Sequence, residues 1–219
     1  MDISVIITCY NYARYLDRAI DSAIDQNFRS DGFEVIVVND ASTDETGEVM
    51  AFYDGRIRQL HLEKNVGLSA SRNIGILAAK GRYVIHLDAD DFFDGNILAA
   101  EMEFLEKNVE LSAVSCDYAM LDEQGNRLEN RNGAAYPIAC GIMYLKESLL
   151  NIGLYNPQFR AMEEQELRAR FEYRHRIGHL PSVLYNYRRH DKNLTNDRAM
   201  MQHYAMLLEN ESALCSCQR

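Results

Sequence analysis

Tyr83-Val84-Ile85-His86-Leu87-Asp88-Ala89-Asp90-Asp91 runs from a short β-type segment straight into three carboxylates within four positions. Side chains alternate along a strand, so Asp88 and Asp90 share a face if the extended conformation continues that far. Carboxylates this close repel one another and are costly to desolvate unless a cation sits between them and a ligand. In open α/β sheets the ligand crevice lies outside the carboxyl ends of the strands. A hard divalent ion, Mg²⁺ or Mn²⁺, bridging these oxygens to a phosphate fits that chemistry. The plain alternative is an acidic strand-to-loop turn or a helix N-terminus, where Asp is common.

Working outward, three earlier segments share the strand's character. Ile3-Ser4-Val5-Ile6-Ile7 is short, apolar and β-branched, as in a buried parallel strand, and ends at Thr8-Cys9-Tyr10-Asn11. A helical pattern follows through Leu16, Ile20, Ala23, Ile24 and Phe28, broken at Asp31-Gly32. Phe33 to Val38 is a second buried strand ending in Asn39-Asp40. Ser42-Thr43-Asp44-Glu45 has the form of a capping box, predicting a helix from there to about Tyr53. Ile57 to Leu62 reads as a third strand. Ser69 opens a helix ending near Lys80-Gly81, with Gly81 suited to the left-handed position after a helix. This β-α-β-α-β-α-β order predicts a mostly parallel sheet with helices on both faces. No GxGxxG follows the first strand and no GxxxxGK[ST] occurs, which argues against a dinucleotide fold and a P-loop.

The second half is less regular. A helix is expected over 96–107, a strand over 112–121, a hairpin-type turn at Glu123-Gln124-Gly125-Asn126 and a loop from Arg127 to Ala139. Short elements follow at 141–144 and 146–152. Glu163-Glu164-Gln165-Glu166 opens a helix reaching about Ile177-Gly178, and glutamates in a first turn are favoured by the helix dipole. Ser182 to Tyr187 reads as a last strand before Arg188-Arg189-His190, and Met200 to Leu214 as a terminal amphipathic helix. That helix is expected to dock on its own domain; a partner chain or a membrane surface stays open as an alternative.

Composition bounds the function. The 219 residues suit one domain, divided here into a nucleotide-binding half (1–95), an acceptor-side half (96–195) and the terminal helix (196–219). Hydrophobic residues are 47% and charged residues 26%, an ordinary globular profile. A net charge of −10 argues against nucleic acid as the main partner. No apolar run approaches the ~20 residues of a membrane span. Met1 leads directly into a strand, so no signal peptide is expected. Five cysteines, none spaced as CxxC, point to a reducing, cytoplasmic setting, and Cys215-Ser216-Cys217 reads as a pair of free thiols. Asn193-Leu194-Thr195 and Asn210-Glu211-Ser212 match the glycosylation acceptor pattern by chance in that setting.

Four segments together resemble the family 2 glycosyltransferases, inverting enzymes of the GT-A fold. They are Val5-Ile6-Ile7-Thr8-Cys9-Tyr10-Asn11, Val37-Val38-Asn39-Asp40-Ala41-Ser42-Thr43-Asp44, Asn65-Val66-Gly67-Leu68-Ser69-Ala70-Ser71-Arg72-Asn73, and Gly81-Arg82-Tyr83 through Asp91. Gly153 to Phe159 followed by Glu163-Glu164 is similar to the family's acceptor-side segment. The resemblance implies that Thr8, Tyr10 and Asp40 line the base and ribose of a nucleotide, most often uridine, with Asp40 accepting from the uracil N3–H. It places Arg72 near the nucleotide or its phosphates. Asp88-Ala89-Asp90 is the family's DxD motif, with Asp88 and Ala89 at the nucleotide-sugar and Asp90 on the cation. Glu164 falls at the catalytic base, with Asp91 a second catalytic candidate. His190 falls where some members place a metal or diphosphate contact, and an imidazole ligand favours Mn²⁺. The implied partners are a nucleotide-sugar donor, expected to be a UDP-sugar, and a glycan, lipid-linked or protein acceptor.

The chain departs from the family's pattern where the acidic pair is Glu163-Glu164 instead of Glu-Asp. It departs again where Gln165 replaces an aromatic, and where Arg168 stands in a neighbourhood that often holds Trp. Two other readings stay open at this stage. One is a sugar-nucleotide nucleotidyltransferase, although Thr8-Cys9-Tyr10-Asn11 lacks the Gly-rich basic loop. The other is a nucleotide-sugar-binding subunit that has lost the base.

Overall fold

A computed structural model describes residues 1–217, with side chains described through residue 210. Nine strands form one sheet in the order β3-β2-β1-β4-β8-β6-β9-β5, with β7 paired to β6. The first four are β1 (Ile3–Cys9), β2 (Phe33–Asn39), β3 (Arg58–His61) and β4 (Tyr83–Asp88), all mutually parallel. Helices α1 (Ala13–Ile24), α2 (Thr46–Phe52) and α3 (Leu68–Ala78) cross between them. The rest of the sheet is built from β5 (Phe92–Phe93), β6 (Ala113–Leu121), β7 (Arg127–Arg131), β8 (Ile142–Leu145) and β9 (Ile177–Arg188). β8 joins antiparallel to β4 and β6, while β9 runs parallel to β6. Helices α4 (Ile97–Lys107), α5 (Lys146–Asn151), α6 (Glu163–Arg174) and α7 (Arg198–Cys217) complete the chain. Among the described residues no helix is long and apolar enough to cross a membrane.

Alternation in β1 explains why the sheet is covered on both faces. Ile3, Val5, Ile7 and Cys9 enter one core with Leu16 and Ile20 of α1, Val35 and Val37 of β2 and Leu98 of α4. Ile6 enters the other with Ile36, Val38, Ile76 of α3, and Leu167 and Phe171 of α6. Parallel register then brings the strand ends level: Thr8 stands beside Asp88, and Cys9 beside Asn39.

Several local expectations are corrected. The capping box does not form: α2 begins at Thr46 with Glu45 at the cap position and no side-chain cap bond, while Asp44, one residue earlier, accepts from the Thr46 N–H at 3.1 Å. Ser42 Oγ instead accepts from the Asn11 N–H, and Asn11 Oδ1 from the Thr43 N–H, tying the ends of β1 and β2 together. Gly81 is not in the left-handed region; a Cβ there would lie 2.5 Å from the Ser4 nitrogen, so its role is close approach to β1. Residues 127–131 are a strand, not loop. Four of the five are exposed on a hairpin edge, so no buried alternation marks them.

α6 ends at Arg174, and β9 begins at Ile177, five residues before the expected start. Its pairing with β6 jumps from Cys116–Leu180 to Asp117–Val183, so Pro181 and Ser182 sit in a bulge. Pro cannot donate to a ladder and is tolerated at such a bulge, which hides the first half of the strand from pattern reading. The terminal helix starts two residues early, at Arg198, and Tyr204 packs near Phe159 (ring centroids 5.9 Å), on the chain's own domain. The side chains of Leu214, Cys215 and Cys217 lie outside the described residues, and Asn210 is exposed. Cys9, Cys116 and Cys140 are free and buried.

Candidate functional site

A cavity of about 480 Å³ opens where the carboxyl ends of β1, β2 and β4 meet α6 and the segment after β9. Thr8, Tyr10, Asp40, Arg72, Asp88, Ala89, Asp90, Asp91 and Glu164 all line it. Ten residues were singled out from sequence, and His190 is the one outside this lining; it stands directly behind Asp90.

The floor is set by strand register. Asp40 follows β2 and is buried, and its carboxylate accepts from two successive backbone N–H groups, Val66 at 2.7 Å and Gly67 at 2.9 Å. That pins the loop leading into α3. Each carboxylate oxygen keeps a second lone pair for a ligand. Thr8 is buried beside Asp88, whereas Tyr10 is half-exposed at the rim.

The chain does not stay extended through the acidic stretch. β4 ends at Asp88, and the Asp91 N–H returns to the Asp88 carbonyl at 3.1 Å, so Asp90 sits in a turn. Asp88 therefore reaches the cavity from the last position of β4 and Asp90 from the turn that follows, not both from alternation along a strand. Asp91 points away from the other two in its bonding. Its two oxygens accept from the Tyr185 hydroxyl (2.6 Å) and the Arg188 N–H (2.7 Å), fastening β9 to the end of β4. Burial, and then the charges of Asp90 and Asp88, push its carboxyl well above the usual range.

Burial also raises the Asp90 carboxyl, with the Asp88 charge adding to it and the His190 hydrogen bond opposing. The neighbouring carboxylates of Asp88 and Asp90, in an oxygen-rich donor set, fit a hard divalent ion. Among the described residues no group of three His, Cys, Asp or Glu side chains is arranged to hold a metal by itself. An ion at Asp90 would therefore complete its shell with ligand phosphate and water, as Mg²⁺ sites commonly do.

The opposite wall is α6. Met162, immediately before it, is left-handed (φ 57°), a conformation that costs a non-glycine residue roughly 1–3 kcal/mol and here sets the helix entry. Glu163, Glu164 and Glu166 occupy the first turn, but their partners differ. Glu166 pairs with Arg170, whose guanidinium also donates to the Ile152 and Leu154 carbonyls, so the plain helix reading holds for this one. Glu164 is buried at the cavity wall with only a long contact, 3.4 Å, to Arg168. Burial, reinforced by Glu163, raises its carboxyl above the usual range, and Arg168 opposes that.

Glu163 leads to a residue whose full role was not visible in sequence. Arg72 is 1% exposed; it donates to Glu163 Oε1 at 2.6 Å and to Asp88 Oδ1 at 2.8 Å. Burial works against its charge, but Cys140, Asp88 and Glu163 outweigh that and hold the guanidinium well above its ordinary pKa. One fully buried cation thus ties the acidic turn to the helix carrying Glu164.

Sequence reading passed over Tyr12, Cys140, Tyr185 and Asn193, which also line the cavity. Tyr12 follows the quoted 5–11 segment, and Asn193 lies in an acceptor-type tripeptide read as chance. No pattern connects either one to Asp90.

Residues 4–163 match a family model described as Glycosyl transferase family 2. Glu164 lies one residue beyond that match. An uncharacterised glycosyltransferase of Rickettsia bellii is 37% identical over 136 residues, covering 61% of this chain and 19% of the relative. TuaG of Bacillus subtilis, described as a putative teichuronic acid biosynthesis glycosyltransferase, is 34% identical over 131 residues, 58% of this chain and half of the relative. The chain thus spans between a fifth and a half of the length of these relatives. Among solved structures, S. aureus TarS in complex with UDP-GlcNAc superposes with a TM-score of 0.80 at 21% identity, covering 90% of this chain and 61% of that one. The mannosyltransferase PcManGT from Pyrobaculum calidifontis, in complex with GDP-Man and Mn²⁺, superposes at 0.73 and 20% identity, covering 94% and 64%. At these identities the likeness establishes the fold, which is the GT-A type.

Proposed function

The chain belongs to glycosyl transferase family 2, and on that premise we propose that it moves a sugar from a nucleoside-diphosphate sugar to an acceptor hydroxyl with inversion. The donor is read as a UDP-sugar and the setting as glycan or polysaccharide assembly. One observation carries the proposal. Parallel register puts Thr8, Asp40 and Asp88 on one floor of a single cavity, and α6 puts a buried carboxylate, Glu164, on its far wall. TarS with UDP-GlcNAc and the name of TuaG support the donor and setting, while the GDP-Man complex of PcManGT supports the cation and leaves a guanine donor as the alternative.

In this reading Thr8, Tyr10 and Asp40 hold base and ribose, Asp40 accepting the uracil N3–H beside the two backbone donors it already holds. Asp88 and Ala89 face the ribose and sugar. A divalent ion at Asp90 supplies charge neutralisation of the leaving diphosphate when bound. Glu164 removes the acceptor proton as that oxygen attacks the anomeric carbon. The bond from that carbon to the diphosphate oxygen breaks with its electrons going to the diphosphate, so the carbon inverts without a covalent enzyme intermediate. Arg72 keeps the donor side and the base helix in register through Asp88 and Glu163. Asp91, with both oxygens committed to β9, acts by positioning the turn.

The test is calorimetric titration of UDP, and in parallel GDP, into the purified protein with and without Mn²⁺. Metal-dependent binding of UDP supports the assignment, and metal-dependent binding of GDP moves the donor class. Binding of neither nucleotide to a folded sample overturns the reading.

A further inference from the structure

Among the described residues two cationic side chains line the cavity, Arg72 and Arg160. Arg72 is committed to Glu163 and Asp88, whereas Arg160 makes no hydrogen bond or ion pair among the described residues. The Arg160 backbone is nonetheless fixed. Phe159 and Ala161 on either side are fully buried, and the Phe159 carbonyl accepts from the Ser69 hydroxyl in the first turn of α3. The Arg160 side chain itself is exposed towards the cavity. Its stem lies over Gly67, where a Cβ would stand 3.7 Å from both Arg160 Cγ and Arg160 Nε.

Gly67 puts this guanidinium at the base end of the site. The Gly67 N–H donates to Asp40 Oδ2 at 2.9 Å, so Arg160 and Asp40 flank one peptide unit. The donors beside Asp40 are already spent: the Val66 and Gly67 N–H groups on its carboxylate, and the Asn65 side-chain amide, at 3.3 Å, on its carbonyl. An imide such as uracil carries its N–H between two carbonyl oxygens. When Asp40 accepts that N–H, its negative charge lies close to the neighbouring carbonyl, which is unfavourable unless a donor covers that oxygen. Strand order identifies the carbonyl. On the donor reading the ribose lies towards Asp88 on β4, and the loop carrying Gly67 follows β3, at the opposite edge of the order β3-β2-β1-β4. The carbonyl remote from the ribose, O4 of uracil, is therefore the one on the Gly67 side.

We propose that Arg160 is a specificity-determining residue of the donor site: its guanidinium donates to the carbonyl oxygen beside the base N–H that Asp40 accepts, O4 of uracil or, with a guanine donor, O6. This deepens the donor reading given above and rests on it. Together the two side chains demand an N–H next to a carbonyl. Cytosine and adenine present a bare ring nitrogen next to an amino group. Both are rejected twice, by a lone pair facing Asp40 and by a donor facing Arg160. A site built from such polar pairs discriminates strongly, because the wrong base leaves its groups unpaired.

The experiment is a thermodynamic cycle between one side chain and one ligand atom, read by calorimetry on the whole chain with Mn²⁺ present. The ligands are UDP and 4-thio-UDP, whose sulfur is a poorer acceptor than oxygen; if GDP is the nucleotide bound, GDP and 6-thio-GDP take their places. Arg160→Ala removes an exposed side chain without a partner, so the variant should fold as the wild type does. It is expected to weaken UDP binding at least about tenfold, the range of a hydrogen bond from a charged donor. The wild type should prefer UDP over 4-thio-UDP by about fivefold or more, and Arg160→Ala should bind the two within about twofold. CDP should bind the wild type at least about tenfold more weakly than UDP, and equal binding overturns the proposal. It is also overturned by unchanged UDP affinity in Arg160→Ala, by a wild type that does not distinguish UDP from 4-thio-UDP, or by equal losses on both ligands, which put Arg160 on the diphosphate. Failure of the wild type to bind either UDP or GDP overturns the donor reading and this proposal with it.

Discussion

Replacing Arg72 with Met keeps side-chain bulk and removes the charge that joins two walls of the cavity. The consequences for its two partners are unequal. The Asp88 side chain is 30% exposed and can recover water, whereas Glu163 is 7% exposed and would be left as a buried carboxylate without its cation. Breaking a buried pair from one side typically costs about 3–5 kcal/mol, and most of that should come from Glu163. Against a total stability of roughly 5–15 kcal/mol this is a large share. For a domain of this size 1 kcal/mol corresponds to about 2–4 °C, so the melting temperature should fall by roughly 10 °C. Urea unfolding of Arg72→Met, Glu163→Gln and the double variant measures it. The cycle should be strongly non-additive: the double variant loses at least about 1.5 kcal/mol less than the sum of the singles, because the uncharged pair leaves no buried ion behind. A loss under about 1 kcal/mol for Arg72→Met, or an additive cycle, would refute the argument that this buried ion pair fastens the turn to α6.

Glu164→Gln should retain nucleotide binding by calorimetry while transfer falls about 10²–10⁴-fold, and normal transfer would remove Glu164 from the role of base. Because burial raises the Glu164 carboxyl, kcat/KM should decline with falling pH earlier than for an ordinary glutamate, and this acid limb should vanish in Glu164→Gln. Glu101, in α4, is fully buried and its carboxyl is driven well above the model-peptide value of 4.5 by burial. A raised acid favours the fold while protonated, so its contribution is lost as pH rises above about 4.5 towards the folded value; Glu101→Gln should gain stability relative to wild type between pH 5 and pH 8 in denaturant titrations. Gly81→Ala drives a Cβ to within 2.5 Å of the backbone of β1 and should cost about 1–3 kcal/mol, with no loss at all contradicting the close-approach role.

The parallel core was legible because its strands are buried on both faces and read as short, mostly apolar runs, from Ile3 to Ile7, Phe33 to Val38 and Tyr83 to Leu87, each with a single polar residue (Ser4, Glu34, His86). Their ends were legible too, since polar residues at Thr8, Asp40 and Asp88 interrupt those runs abruptly. β7 was hidden because an exposed hairpin edge has no buried side to alternate with, and the first half of β9 because a bulge at Pro181 breaks its period. Arg72 illustrates a different limit. Its helix position suggests a nucleotide contact or a solvated charge, and only the fold shows it 1% exposed between two carboxylates. Asn193 reaches Asp90 through its side-chain amide and Lys192 reaches His190 through its backbone N–H, contacts that no residue pattern encodes.

The turn that carries Asp90 and Asp91 also sets a schedule. Its anchors come from far along the chain: Tyr185 and Arg188 lie 94 and 97 residues after Asp91, His190 lies 100 residues after Asp90, and the Tyr12 hydroxyl reaches a carbonyl 180 residues away. At synthesis rates of about 5–20 residues per second, the acidic turn waits roughly 5–20 s after emerging before its anchors exist. During that interval the donor strands can pair, but three neighbouring carboxylates have neither β9 nor Arg188 to hold them apart. A chain interrupted before residue 188 would therefore keep most of its parallel core and lack an assembled site.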